Sequence, residues 1–140
     1  MKTIGDALEL LTAQHDDIQN LLAGIPDLEG ERLAHALGEL ADKVATHLVA
    51  ENDLRKTLQL ADDGDDRALQ RALTTIFALD LDAAEIRERI AEFTAMFREH
   101  AATQEQGVFI ALAETINPDV LEQVGVRLSK WSERASVLAA

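Results

Sequence analysis

The sequence has no cysteine, no tyrosine, one tryptophan and two prolines among 140 residues. The missing thiols exclude disulfide scaffolds, thiolate zinc sites, iron–sulfur clusters and cysteine nucleophiles. No apolar run approaches the length that spans a bilayer. The opening MKTIGDALELL lacks the basic start and continuous apolar stretch of a secretory signal, so a cytoplasmic location is the expectation. Basic residues are scarce: 13 Lys and Arg face 26 Asp and Glu, for a net charge of −13. Such a surface repels phosphate backbones and anionic lipid, so neither nucleic acid nor membrane is an expected partner. Cations, basic proteins and neutral small molecules remain open.

Hydrophobic residues make up 47% and charged ones 28%, the balance of a folded domain. Residues 1–140 read as one domain, large enough to bury a core without metal or disulfides. Alternating β-branched stretches are absent. The pattern is that of amphipathic helices with apolar residues three and four apart. The first is expected over about Gly5 to Ala23, on Ile4, Leu8, Leu11, Ile18 and Leu22, and ends at the Gly24–Gly30 segment. The second runs from about Glu31 to Leu60 on Leu33, Leu37, Leu40, Val44 and Leu54, and closes at Asp62–Asp63–Gly64–Asp65. The third begins at Asp65 or Asp66, where acids suit the positive helix end, and carries Leu69, Leu73 and Ile76 to about Asp80. The fourth starts on Asp82 and runs to about Thr115 on Ile86, Ile90, Phe93 and Phe97. Asn117–Pro118–Asp119 opens a short fifth helix with Leu121, Val124, Leu128 and Trp131. Short connections favour an all-α, up-down-up-down antiparallel four-helix bundle with the fifth helix across one end or edge.

Chemistry enters where polar residues interrupt these stripes. His15 occupies a stripe position of the first helix, His47 and Glu51 of the second, and His100 of the fourth, with Gln104 one turn later. His47 and Glu51 are four apart and share a face. The fourth histidine, His35, points away to the surface. One histidine on an apolar face is ordinarily a core residue bonded to a backbone carbonyl. Three on separate helices, one with a glutamate a turn away, point to a metal site, because a buried carboxylate is costly unless paired or ligated. Imidazoles and carboxylates without thiolates suit iron, zinc or manganese. Trp131 reads as packing. Spacing opposes a shared site on one count. Measured from a loop centre at Leu28, His15 lies thirteen residues before and His47 nineteen after, a mismatch of about 9 Å.

Several motifs resemble hemerythrin-like (HHE cation-binding) domains. They are Ala7-Leu-Glu-Leu-Leu-Thr-Ala-Gln14-His15-Asp16, the His47-x-x-x-Glu51 pair, His100 and Glu105 followed by Val108-Phe109, and the tail Ile116-Asn-Pro-Asp-Val-Leu-Glu-Gln-Val-Gly125. Together they cover nearly the whole chain. The resemblance implies a dinuclear non-heme iron site within the bundle. His15 and His47 would hold one iron, Glu51 and Glu105 would bridge to a second, and His100 would bind that second ion. The third helix departs from the pattern, having no histidine where the family supplies one or two. Asp66 stands near the first of those positions, either facing inward as a substitute ligand or outward as a helix-start acid, and Gln70 lies one turn on. The departure weakens the expectation of reversible oxygen carriage. The implied roles are sensing, storing or scavenging O2, peroxide, nitric oxide or iron itself. A mononuclear zinc or manganese site and a metal-free bundle acting through its acidic surface are the alternatives. No separate nucleophile or general base stands out.

Overall fold

Three helix starts are written in side chains that satisfy their first amide groups, and the computed structural model uses them. It describes residues 6–61, 64–78 and 80–139. Asp6 accepts from the Glu9 amide at 3.0 Å and opens α1 (Ala7–Gly24). Asp82 and Glu85 cap each other's backbone amides and open α4 (Ala83–Thr103). The Asn117 side chain accepts from the Asp119 amide at the head of α6 (Pro118–Ala139), whose proline occupies a first-turn position that needs no donor. Between them lie α2 (Gly30–Leu58), α3 (Asp65–Ala78) and α5 (Phe109–Thr115). Among the described residues there is no strand, so the chain is all-α. Ile4 and Gly5 of the expected first helix, and Asp62 and Asp63 of the turn before α3, lie outside the described residues.

Three features differ from expectation. The final helix is 22 residues long rather than short. It lies against α1 and α2. Trp131 on that helix is 56% exposed and does not pack into the core; it borders a groove with Val49, Lys56 and Arg127. The expected fourth helix does reach Thr115, but a π turn over Gln104–Val108 interrupts it, with the Phe109 amide bonded to the Gln104 carbonyl five residues back.

The interior is two apolar clusters with a polar layer between them. One cluster gathers Ile18, Leu22, Leu40, Val44, Leu69, Ile90, Phe93 and Phe97. The other gathers Leu8, Leu11, Leu54, Phe109, Leu112, Leu121, Val124 and Leu128. Each such buried side chain stabilises the fold by roughly 1.5–3 kcal/mol relative to exposure. On α1 the chain passes from Leu11 in one cluster through His15 to Ile18 in the other. On α2 it passes from Val44 through His47 to Ala50 and Leu54. The histidines thus stand at the level where the two cores meet.

The mismatch in level between His15 and His47 is taken up by the α1–α2 connection. Nine residues separate His15 from the end of α1, and seventeen separate the start of α2 from His47. That surplus of eight residues is about 12 Å of helix. Between the helices a 3-10 turn, Ile25–Asp27, continues upward and Leu28 and Glu29 are extended. At about 2.0 Å and 3.3 Å per residue, these segments climb about as far. The α2 helix therefore starts well beyond the end of α1, and the two histidines meet.

Candidate metal centre

His15, His47, Glu51 and His100 are all buried, with exposures of 0, 0, 4 and 2%. Their ring centroids lie 4.6 Å (His15–His47), 5.5 Å (His15–His100) and 5.9 Å (His47–His100) apart. The Nε2 atoms of His47 and His100 each lie 2.9 Å from Glu51 Oε1, and that of His15 lies 3.8 Å away. One potential ligand atom from each of the four falls within 4.8 Å of the others. His35 is exposed, as its stripe position implied. Phe97 walls the site, its ring 5.8, 5.9 and 5.7 Å from those of His15, His47 and His100. Phe109 stacks on His15 at 5.9 Å.

The far ring nitrogens are each tied to a neighbour. The His15 Nδ1–H donates to Glu105 Oε2 at 3.1 Å. The His47 Nδ1–H donates to Gln14 Oε1 at 2.8 Å. The His100 Nδ1–H donates to Asp65. With their protons on Nδ1, neutral His15 and His47 turn a bare Nε2 lone pair toward the oxygen of Glu51. An acceptor facing an acceptor repels unless a cation or proton sits between them. Only His100 can donate from Nε2 as well, to Glu51.

Among the described residues, the buried side-chain atoms without a hydrogen-bond partner are His15 Nε2, His47 Nε2, Glu51 Oε2 and Gln104 Oε1. Orphaned buried acceptors cost roughly 1–3 kcal/mol each, so several at one level of a bundle require a cause. A metal ion fits that cause. Donor atoms held at about 2.0–2.1 Å around one ion stand roughly 3.0–3.4 Å from each other, and the distances from Glu51 Oε1 to the three Nε2 atoms, 2.9, 2.9 and 3.8 Å, bracket that range. Three imidazoles held by outer acceptors are the arrangement in which such ligands are fixed in tautomer and orientation. The group of His15, His47, Glu51 and His100 could therefore hold a metal ion, and it is a candidate metal centre.

The remaining acids ring this group. Glu105 lies on the π turn. In an unbroken α-helix, a residue five positions after His100 would turn away from it. The wider i→i+5 turn carries Glu105 back toward the histidines. Asp66 is ion-paired with Arg55. Asp65, expected only as a helix-start acid, reaches His100 instead, and Gln14 reaches His47. A sequence signal for both existed in retrospect, since each ligating imidazole needs an acceptor for its second N–H. Glu105 and Asp65 are 32% and 46% exposed on their side chains, so the outer ring opens to water.

Burial pushes the Glu51 carboxyl up, but an opposing pull led by the hydrogen bond from the His100 Nε2–H holds it below the usual carboxylate range. Burial keeps His47 below its ordinary value despite Glu51. Burial also opposes charge on His100, but Glu51 and Asp65 win and raise it to about 9. Burial and the neighbouring Glu51 carboxylate push Asp66 up to about 7, against the pull of Arg55. The raised His100 contributes stability to the metal-free protein in full below 6.5, its unfolded value, and loses it as pH rises through about 9. The lowered His47 and Glu51 contribute above their unfolded values of 6.5 and 4.5, and that part is lost as pH falls. The raised Asp66 contributes stability that is lost between pH 3.8 and about 7, so above pH 7 the His100 loss stands alone, and urea unfolding of the chelator-treated protein is expected to show stability falling from pH 7 to pH 9. Stability still rising at pH 9 would contradict the assignment of His100 as the group protonated on folding.

Compared with protein-family models, curated proteins and solved structures, the chain finds no match. What the centre can do follows from its donor atoms. Among the described residues, no helix is long and apolar enough to cross a membrane.

Proposed function

We propose that this chain is a hemerythrin-like, up-down-up-down four-helix bundle that binds iron through His15, His47, His100 and Glu51. It uses that iron to sense, scavenge or store O2, peroxide, nitric oxide or iron itself. The observation that carries the reading is the convergence of three imidazole Nε2 atoms on one buried glutamate, with the lone pairs of His15 and His47 facing its oxygen. The metal would supply a redox-active Lewis acid with room for a small ligand. The chain's own residues do the rest. Phe97 and Phe109 keep two sides dry. Glu105, Gln14 and Asp65 hold the ring protons on Nδ1 and so keep Nε2 available. A metal-free interaction module is the weaker reading, since it leaves four buried acceptors without cause.

The test is iron reconstitution of the purified chain, followed by a metal count and a near-ultraviolet spectrum. At least one iron per chain with a ligand-to-metal absorption band is expected. Well under one ion of any metal per chain would overturn the reading. Binding should also release protons, because His100 must give up its Nε2 proton, so affinity should fall steadily below about pH 9.

Removing an outer acceptor has a distinct signature. Glu105→Ala and Asp65→Ala are each expected to weaken iron binding by about 10–100-fold while leaving the count at saturation unchanged. Ferrous titration at two protein concentrations separates affinity from count. A lowered count in Glu105→Ala would make Glu105 a ligand.

A further inference from the structure

Each outer carboxylate around the centre gives one oxygen to a neighbouring side chain. Glu105 holds the Nδ1 of His15, Asp65 holds the Nδ1 of His100, and Asp66 holds Arg55. His100 turns its Nε2 to the same Glu51 oxygen as His15 and His47, rather than away from them. Among the described residues, the fully buried carboxylate oxygen without a hydrogen-bond partner is Glu51 Oε2. A single oxygen does not make a second metal position, which needs several donors in a defined shell.

What stands beside Glu51 instead is a cation that belongs to the chain. Arg55 follows Glu51 by one helical turn and shares its face of α2. Its guanidinium grips Asp66, from the first turn of α3, and the two side chains are only 17% and 16% exposed. A guanidinium stays charged under all ordinary conditions and matches a carboxylate's two oxygens. It therefore offsets the negative charge of Asp66, the acid that neighbours Glu51, permanently and without a metal.

We infer that the centre takes one metal ion and that the Arg55 guanidinium, held by Asp66, stands in place of a second cation. The inference rests on the metal-binding reading above. It makes Asp66 a partner of Arg55 rather than a ligand, and it makes the three histidines equal members of one coordination shell.

The experiment is an anaerobic ferrous titration of the full chain, with EPR after oxidation. The wild type is expected to saturate at one iron and to give the signal of an isolated high-spin ferric ion. Asp66→Asn should still bind one iron with affinity within a few-fold of wild type. Arg55→Lys should stay at one. Arg55→Met uncovers Asp66 and Glu51 Oε2, and should take up a second, weaker iron. His15→Ala, His47→Ala and His100→Ala should lose iron to the same extent. Two irons in the wild type, coupled and EPR-silent, would overturn the inference while leaving the metal-binding reading intact. No iron in the wild type would overturn both. Loss of iron in Asp66→Asn, or a folded Arg55→Met that stays at one, would also overturn it. If Arg55→Met does not fold, the wild-type count with Asp66→Asn decides the matter.

Discussion

Glu51→Ala should abolish iron binding, with a loss well beyond the roughly 10–100-fold expected for removing an outer acceptor. Glu51 is the one anionic donor in a shell whose other members are neutral imidazoles once His100 has released its proton. Its Oε1 is also the point on which all three Nε2 atoms converge. Glu51→Gln keeps the volume and one oxygen but not the charge, and should fail nearly as badly. The far-ultraviolet circular dichroism of both variants should match that of the wild type, since the apolar clusters above and below the layer are untouched. Metal counts after desalting, with titration of each variant, give the comparison. A Glu51→Ala protein that holds iron within a few-fold of wild type would place the ion elsewhere.

Iron should also raise the melting temperature substantially. The unfolded chain cannot assemble four donors from three helices, so the ion binds the folded state alone. At free iron a thousandfold above Kd, linkage stabilises that state by about 4 kcal/mol. For a chain of this size, each kcal/mol moves the midpoint by roughly 3–4 °C, so a rise of about 12–16 °C is expected. The gain has a specific source here. In the metal-free protein the lone pairs of His15 and His47 face the oxygen of Glu51, and a cation converts that repulsion into ligation. The rise should vanish in His47→Ala. Apo and reconstituted proteins that melt together would show that the polar layer does not close on a metal.

Much of this layer was legible in the sequence. Three histidines fell on apolar stripes of three helices, and Glu51 fell one turn from His47, so helical periodicity alone gathered the four residues that converge. What periodicity could not supply was level along the axis. The 9 Å objection assumed a symmetric loop, whereas Leu28 and Glu29 are extended and lift α2 past the end of α1. Nor could it foresee the π turn at Gln104–Val108, which changes the register of Glu105 by widening one turn. The roles of Asp65 and Asp66 depend on which side of the α3 stripe each falls, and that is set by how α3 packs against α4 and α2. The stripe left Asp66 open between inward and outward; it is largely buried, and its partner is Arg55. Trp131 follows the apolar period of α6 but stays exposed, bordering a groove with Val49 of α2. The resemblance to hemerythrin-like domains suggested Glu105 as a bridging ligand; in the structure it accepts from the outer nitrogen of His15.

The most direct measurement is a crystal structure of the iron-reconstituted protein with anomalous data collected on either side of the iron absorption edge. The account predicts an iron peak within about 2.0–2.3 Å of the Nε2 atoms of His15, His47 and His100 and of a Glu51 carboxylate oxygen. Glu105, Gln14 and Asp65 should remain on the outer nitrogens, and Arg55 on Asp66. An anomalous peak at surface carboxylates alone, or no peak in protein soaked with excess iron, would contradict it.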